Sequence, residues 1–417
     1  MRCVIIGGGL SGILGALAVH PFVDEVIVCE RTPISSSGAR ARRAAQQHHP
    51  HNVLTRGLSS MESLAPGFLV QAQSSGAIAG DVARDTDVEE FGVTMPKRSL
   101  GLSIVTAPLS TLESSLRTST DTLPGVATVT ESVTEVTSEG DHRFRVTTET
   151  TERSADLVID ATGSARSMEV SFATSWPRPF VERRSVNRWF VALPLIRPDD
   201  QVGDDGHVII LPFGDAPLGV LLAPTSPTTW LLSMTGPRSI TPPSDPDALI
   251  ASALLRAPSL GERLSGARVA GTMTRYTHGS DARVHVRSGE LPPGFLLLGE
   301  ATCALSPVLG QGVSMLAWQA AILRDALSSN GVVGGAAQYL AESQGPVAAA
   351  WRLPGIVEAV EALATVTPKF GTRIANGLAK SPTLHHDLVA AWHHVAPPEQ
   401  ILEVVHACLN AEKRNQP

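Results

Sequence analysis

The sequence predicts an α/β protein in three parts: an opening parallel-sheet domain of the βαβ kind, an inserted and mostly antiparallel β domain, and a helical C-terminal region. Three observations carry that expectation. The first thirty residues read as strand, glycine turn, helix and strand, the span of one βαβ unit. From about residue 166 to 290, short apolar runs alternate with Pro, Gly and Asp, the pattern of antiparallel strands joined by tight turns. Beyond Val333 the chain is largely helix-forming, with breaks at prolines.

Length and composition bound the possibilities first. At 417 residues the chain is long enough for two to three structural units, and 43% hydrophobic against 18% charged residues describes an ordinary folded protein. No uninterrupted apolar run approaches the roughly 18 residues of a membrane span. The N-terminus enters a strand at once, without the pattern of a secretory leader, so a cytoplasmic location is expected. The four cysteines, Cys3, Cys29, Cys303 and Cys408, are scattered and form no CxxC pair, and three of them sit inside apolar runs, where a buried free thiol is expected. A net charge of −7 argues against a nucleic-acid partner, which calls for a basic face.

The elements follow in order. Arg2 to Ile6 is continuously apolar after its arginine, as a buried parallel strand requires, and runs into Gly7-Gly8-Gly9-Leu10-Ser11-Gly12. A helix is expected from about Ser11 to Val19, and a second strand, Val26 to Cys29, ends at Glu30. The polar stretch 32–52 reads as a loop and Val53 to Leu64 as a helix. After a mixed segment, a helix near Ser110–Arg117 precedes strands at 126–129, 144–147 and 157–160, the last entering Ala161-Thr162-Gly163. Strand-like runs at 189–193, 208–211, 218–222 and 230–233 make up the inserted domain. Phe295–Leu298 returns to a buried strand, and a helix is expected from about Gln311 to Ser328. The predicted domains are therefore 1–165 with 290–330, then 166–289, then 331–417.

The spacing Gly7, Gly9, Gly12 between a strand and a helix is the dinucleotide fingerprint of a Rossmann-like domain. The glycines allow a tight turn, close approach of backbone to a pyrophosphate, and close packing of helix on strand. Glu30, 18 residues beyond Gly12 at the end of the second strand, stands where a carboxylate accepts hydrogen bonds from a ribose. Leu10, Ser11 and Arg31 flank these positions and join the candidate site. The cluster Arg40, Arg42 and Arg43 offers cations for a phosphate, weighed evenly against a solvated face, and Arg43 is carried as the candidate.

A second constellation spans Gly299 to Val313, reading GEATCALSPVLGQGV. A strand, a carboxylate, a glycine-flanked loop and a new helix start make another cradle for a phosphate or a polar ring. This segment resembles the GD motif of the FAD-dependent monooxygenases related to the aromatic hydroxylases (group A-like), most closely the polyene and squalene-type epoxidase branch, which reads GDAxCxxNPxxGQGM. The polar segment Arg42–Leu54, the run Asp160-Ala161-Thr162-Gly163 and Trp351 are similar to other features of that branch, so the resemblance extends from about residue 2 to 352. Glu300, Ser306, Leu309 and Val313 stand where the family has Asp, Asn, an aromatic and Met, and Leu109 replaces an arginine ahead of Leu112-Glu113.

The resemblance implies a flavoprotein with Gly163, Gly299, Glu300, Pro307, Gly310, Gly312 and Val313 about the flavin, and Glu300 on its ribityl chain. It implies insertion of one O2-derived oxygen atom, as hydroxylation or epoxidation through a flavin C4a-hydroperoxide, into an apolar or aromatic small molecule of secondary metabolism. Electrons would come from NADPH or NADH, directly or through a partner flavin reductase. No single catalytic acid or base stands out. The substrate is expected between the central sheet and the flavin, near Trp189, Phe190, Phe213 and Trp230. The alternatives are a non-oxygenating flavoprotein or flavin-fold binding protein and, behind it, a halogenase, for which the sequence lacks the WxWxIP helix. His48, His49 and His51 read as a loop wall rather than metal ligands, and His385-His386 and His393-His394 as packed or solvated helix residues.

Overall fold

The computed structural model describes residues 1–34, 49–140, 142–163, 176–177, 179–201, 206–212, 216–287 and 289–413. Arg43, His48 and Phe213 lie outside the described residues. Five strands form a wholly parallel sheet in the order Phe295–Leu297, Leu157–Asp160, Arg2–Ile6, Glu25–Glu30, Val126–Thr130. Both faces of the first four strands are covered, which is why their centres are apolar instead of alternating, whereas Val126–Thr130 at the edge is largely exposed. Cys3, Ile5, Val26, Val28, Leu157, Ile159 and Leu296 pack against the helices Leu10–Val19 and Gln311–Glu342. On the other face Val4, Ile6, Ile27, Val158 and Phe295 meet Val136, Phe144, Val146 and Ala155 of a small antiparallel sheet.

A nine-stranded sheet makes the second layer system, centred on the long strand Phe180–Ile196 between Thr274–His285 and Thr229–Pro237. Its outer face carries Trp189, Val191, Leu193, Trp230, Leu232 and Met234 beneath the helix Pro246–Arg256. The sheet does not close within 166–289. It takes in Thr86–Glu90 and Val93–Thr94 from the first part of the chain and Cys303–Ala304 from the strand-loop return.

Three sequence expectations need correction. The helix expected from Val53 begins at Thr55, because Pro50–Leu54 is a strand paired antiparallel with Ser103–Pro108, where Val53 lies opposite Val105. The segment between Leu64 and Ser110 holds four strands, two of them in the large sheet. The helix from Gln311 runs to Glu342 and is broken at Gly331, whose φ of 65° lies in the left-handed region. Helices Gln344–Val366, Pro368–Lys380, Pro382–Trp392 and Gln400–Lys413 complete the chain, the last three sharing a core with Met95 and Leu309. All four cysteines are buried and free, and no described helix is long and apolar enough to cross a membrane.

Candidate functional site

The carboxyl ends of the parallel strands all reach one edge, where loops turn away and leave a crevice, the usual place for a ligand in such a sheet. A cavity of about 1640 Å³ opens there and extends beneath the large sheet to the C-terminal helices. That exceeds the roughly 300–1,000 Å³ of a pocket for one small ligand.

The glycine turn forms one wall. Gly7 has φ +105°, and a Cβ there would lie 2.6 Å from the Ala161 carbonyl oxygen. A Cβ on Gly12 would overlap the Gly7 carbonyl oxygen, so the helix sits as close to the first strand as backbone allows. Glu30, 5% exposed, accepts from the Gly8 amide through Oε2 at 2.8 Å and from the Thr32 amide through Oε1 at 2.9 Å. From beneath, the helix Leu109–Asp121 adds two buried charged side chains one turn apart. Glu113 accepts from the Leu10 amide at 3.2 Å, and Arg117 donates to the Gly8 carbonyl at 2.6 Å. Glu113 and Arg117 were not anticipated as site residues. Their i, i+4 spacing on an otherwise Ser/Thr-rich helix was the available signal.

Gly7, Gly9, Leu10, Ser11, Glu30, Arg31, Gly163, Glu300, Pro307, Gly310, Gly312 and Val313 all border the cavity. Gly12 and Gly299 lie just behind the wall. Gly12 packs on the first strand, and the Gly299 amide donates to Gln319 at 3.1 Å while Thr302 donates to the Gly299 carbonyl. Two helices begin at the cavity, at Leu10 and Gln311, with N-cap glycines that carry no capping side chain. Their first-turn N–H groups and positive dipole ends suit an anion or an electron-rich ring edge.

The loop from Leu305 to Gly310 is tied down by Asp281. This carboxylate, 1% exposed, forms an ion pair with Arg184 and accepts from His278 at 2.9 Å and from the Ser306 amide at 2.6 Å. Burial pushes its pKa up, but hydrogen bonds from His278 and Arg184 outweigh that and hold it below the usual carboxylate value. Arg184 also lies over the Trp351 ring, joining the large sheet to the C-terminal helices.

In the middle of the cavity Tyr276 stacks on Phe190 at 4.7 Å and meets the edge of His49 at 4.6 Å. The Tyr276 hydroxyl is buried and has no hydrogen-bond partner within the described residues. Burial, reinforced by the Glu300 carboxylate, pushes its pKa up, so it stays protonated and is available as a donor. Of the aromatic residues expected about the substrate, Phe190 borders the cavity. Trp189 and Trp230 do not, because strand alternation turns them to the outer face of the sheet, where they are core. His49 and His51 border the cavity, as do His385 and His393 from the C-terminal helices. His385, His393 and His394 are buried, while His386 is half-exposed. Burial lowers His393 to about 3 and His385 to about 4, so both are neutral near pH 7.

No known family profile matches the chain. Protein Rv3254 of Mycobacterium tuberculosis is 26% identical over 361 residues, which cover 79% of this chain and 73% of that protein. A mutant of 2-methyl-3-hydroxypyridine-5-carboxylic acid oxygenase superposes with a TM-score of 0.67 at 18% identity, covering 88% of this chain and 93% of its own. The flavin-dependent brominase Bmp2 superposes with a TM-score of 0.67 at 15% identity over 100% of both chains. At such identities the likeness is one of fold alone, an α/β fold that this chain shares with that oxygenase and that brominase.

Proposed function

We propose that the chain is an FAD-dependent monooxygenase that hydroxylates or epoxidises an apolar or aromatic small molecule of secondary metabolism, drawing electrons from NADPH or NADH directly or through a flavin reductase. The observation that carries this reading is one continuous cavity joining the glycine turn and Glu30 at one end, Glu300 and the Pro307–Gly312 loop beside it, and an apolar compartment beyond.

The residues present fit the cofactor. The Gly7 and Gly12 positions have no room for a side chain, two helix N-termini face the space, and a Cβ on Gly312 would meet nothing within 4 Å. In this reading Glu30 receives the ribose hydroxyls and Glu300 the ribityl chain. Bound flavin supplies the redox chemistry, taking up electrons and delivering one oxygen atom from O2. The chain positions and shields it. Phe190 and Leu305 exclude water from the reacting face. The Tyr276 hydroxyl, protonated and without a partner among the described residues, holds a polar atom of the substrate or hydroxylated product in register.

A halogenase on this scaffold is expected to hold a lysine near its substrate, and Lys97, Lys369 and Lys380 do not border the cavity, which disfavours that alternative despite the brominase-like fold. The test is to purify the protein, record its visible spectrum, and add NADPH under labelled O2 with and without a flavin reductase, in the presence of aromatic and terpenoid candidates. A flavin spectrum and incorporation of label into product are expected. A yellow protein that reduces O2 with no substrate labelled under any condition would favour the non-oxygenating alternative. Failure to bind FAD in either redox state would end the proposal.

A further inference from the structure

The far end of the cavity holds a charged group that the flavin chemistry does not use. In the strand Thr86–Glu90, side chains alternate, and Thr86, Val88 and Glu90 border the cavity. On the opposite face Asp87 is paired with Lys97 at 2.9 Å and Arg263 at 3.0 Å, and Glu89 with Arg256 at 3.1 Å. The outward carboxylates are thus neutralised by cations. Among the described residues Glu90 has no ion pair and no side-chain hydrogen bond, and Val88, Met95, Leu309, Leu388 and Trp392, which line the same cavity, belong to one apolar cluster.

This compartment adjoins the flavin side directly. Leu309 belongs to the Pro307–Gly310 loop, and its carbonyl accepts from the Trp392 indole at 3.1 Å, so one residue borders both spaces. His385 also borders the compartment, buried, with Nδ1 lacking a partner within the described residues. Arg98 acts on His385, helping burial keep that imidazole neutral, but Glu90 has no ion-pair partner among the described residues, so its carboxylate is a place for a hydrogen-bond donor bearing positive charge. An anion there would meet repulsion from Glu90, and a plain hydrocarbon would leave its carboxylate desolvated and unpaired.

We propose that Glu90 is a specificity determinant that recognises the protonated amine of an otherwise apolar substrate, whose body lies along Val88, Met95 and Trp392 with its reacting end toward the Pro307–Gly310 loop. Burial among apolar side chains pushes the Glu90 carboxyl up to about 7, a measure of how poorly the compartment solvates an unpaired charge. A bound cation supplies the missing counter-charge.

The inference rests on the reading of this cavity as a joint flavin and substrate site, and the test separates the two. Titration calorimetry at pH 8 of the full-length, FAD-supplemented protein uses three matched probes: 4-phenylbutylamine, 4-phenylbutan-1-ol and 4-phenylbutanoate. The amine is expected to bind at least tenfold more tightly than the other two. In Glu90→Gln that advantage falls about tenfold, while alcohol binding stays within twofold and FAD affinity, read by quenching of flavin fluorescence, is unchanged. Absence of amine preference in the unaltered protein, including absence of binding by all three probes, overturns the proposal, as does an amine preference that survives Glu90→Gln. Loss of FAD binding by the unaltered protein would instead strike the flavin reading, whatever the amine does.

Discussion

Replacing Glu30 with alanine tests the junction of fold and site at a single side chain. Glu30 lies at the end of the second parallel strand, 5% exposed, and its two oxygens each accept one backbone amide, from Gly8 at 2.8 Å and Thr32 at 2.9 Å. A hydrogen bond to a charged group contributes about 1.5–3 kcal/mol, and a buried donor left unsatisfied costs about 1–3 kcal/mol. The Gly8 amide is buried, whereas that of Thr32 is partly exposed and can turn to water. The expected loss in Glu30→Ala is therefore about 2–4 kcal/mol of unfolding free energy, dominated by Gly8. Glu30→Gln keeps the shape and one acceptor but sets an NH2 against a donor, so about half that loss is expected. Because the same carboxylate would receive the ribose, FAD affinity should fall about tenfold to a hundredfold in the alanine variant, 1.4 kcal/mol per factor of ten. Urea unfolding followed by far-ultraviolet circular dichroism measures the first effect, and titration of flavin fluorescence the second. An alanine variant within 0.5 kcal/mol of the parent, roughly the scatter of a neutral surface substitution, would refute the turn-anchoring role. Unchanged FAD affinity would remove Glu30 from the cofactor site.

Four further outcomes are expected. Gly12→Ala places a methyl group on the Gly7 carbonyl oxygen, so the turn must shift and FAD binding should fall by more than about a hundredfold while the core stays folded; fluorescence titration retaining parental affinity would contradict the geometry. Asp281→Ala leaves the Ser306 amide without its acceptor and Arg184 without its counter-charge, though still bonded to the Trp351 carbonyl, and a loss of about 3–5 kcal/mol is expected by urea unfolding, with little change pointing to a loop held by other contacts. Tyr276→Phe keeps the stack on Phe190 and should leave stability nearly unchanged while raising KM or uncoupling O2 consumption from product formation; full coupling would show the hydroxyl idle. His207, 1% exposed and bonded to Thr106 at 2.7 Å, is lowered to about 4 by burial and the charges of Arg197 and Arg263. The unfolded chain takes up this proton near pH 6.5 and the folded one does not, so the contribution is intact above 6.5 and lost as pH falls toward 4. Between pH 7 and 5 the parent should lose about 2 kcal/mol more stability than His207→Gln; parallel pH profiles would show that His207 is not the group responsible.

Legibility followed the range of the forces involved. The glycine turn, its strand and helix, and Glu30 sit within thirty consecutive residues, and each is demanded by local backbone geometry, so periodicity and spacing reveal them. The Gly299–Val313 loop is similarly local. The strand Thr86–Glu90 escaped notice because its partner in the large sheet, His207–Ile210, is more than a hundred residues away, and Ser103–Pro108 because it is held between Pro50–Leu54 and Ile78–Asp81, two segments that are not adjacent to it in the chain. Trp189 and Phe190 are adjacent and both aromatic, and the pleat of one strand sends them to opposite faces, a difference invisible until the sheet's covered side is known.

By itself the sequence determined the βαβ opening, the second glycine loop and the apolar strands, because those depend on φ/ψ freedom and on burial patterns written residue by residue. Only the tertiary structure decided that Glu113 and Arg117 support the glycine turn, that Tyr276 and His49 share the cavity, and that Glu90 and the C-terminal histidines enclose its far end. Those groups are brought together by packing between elements distant in the chain, where hydrophobic burial fixes which layers meet but no local pattern records the meeting.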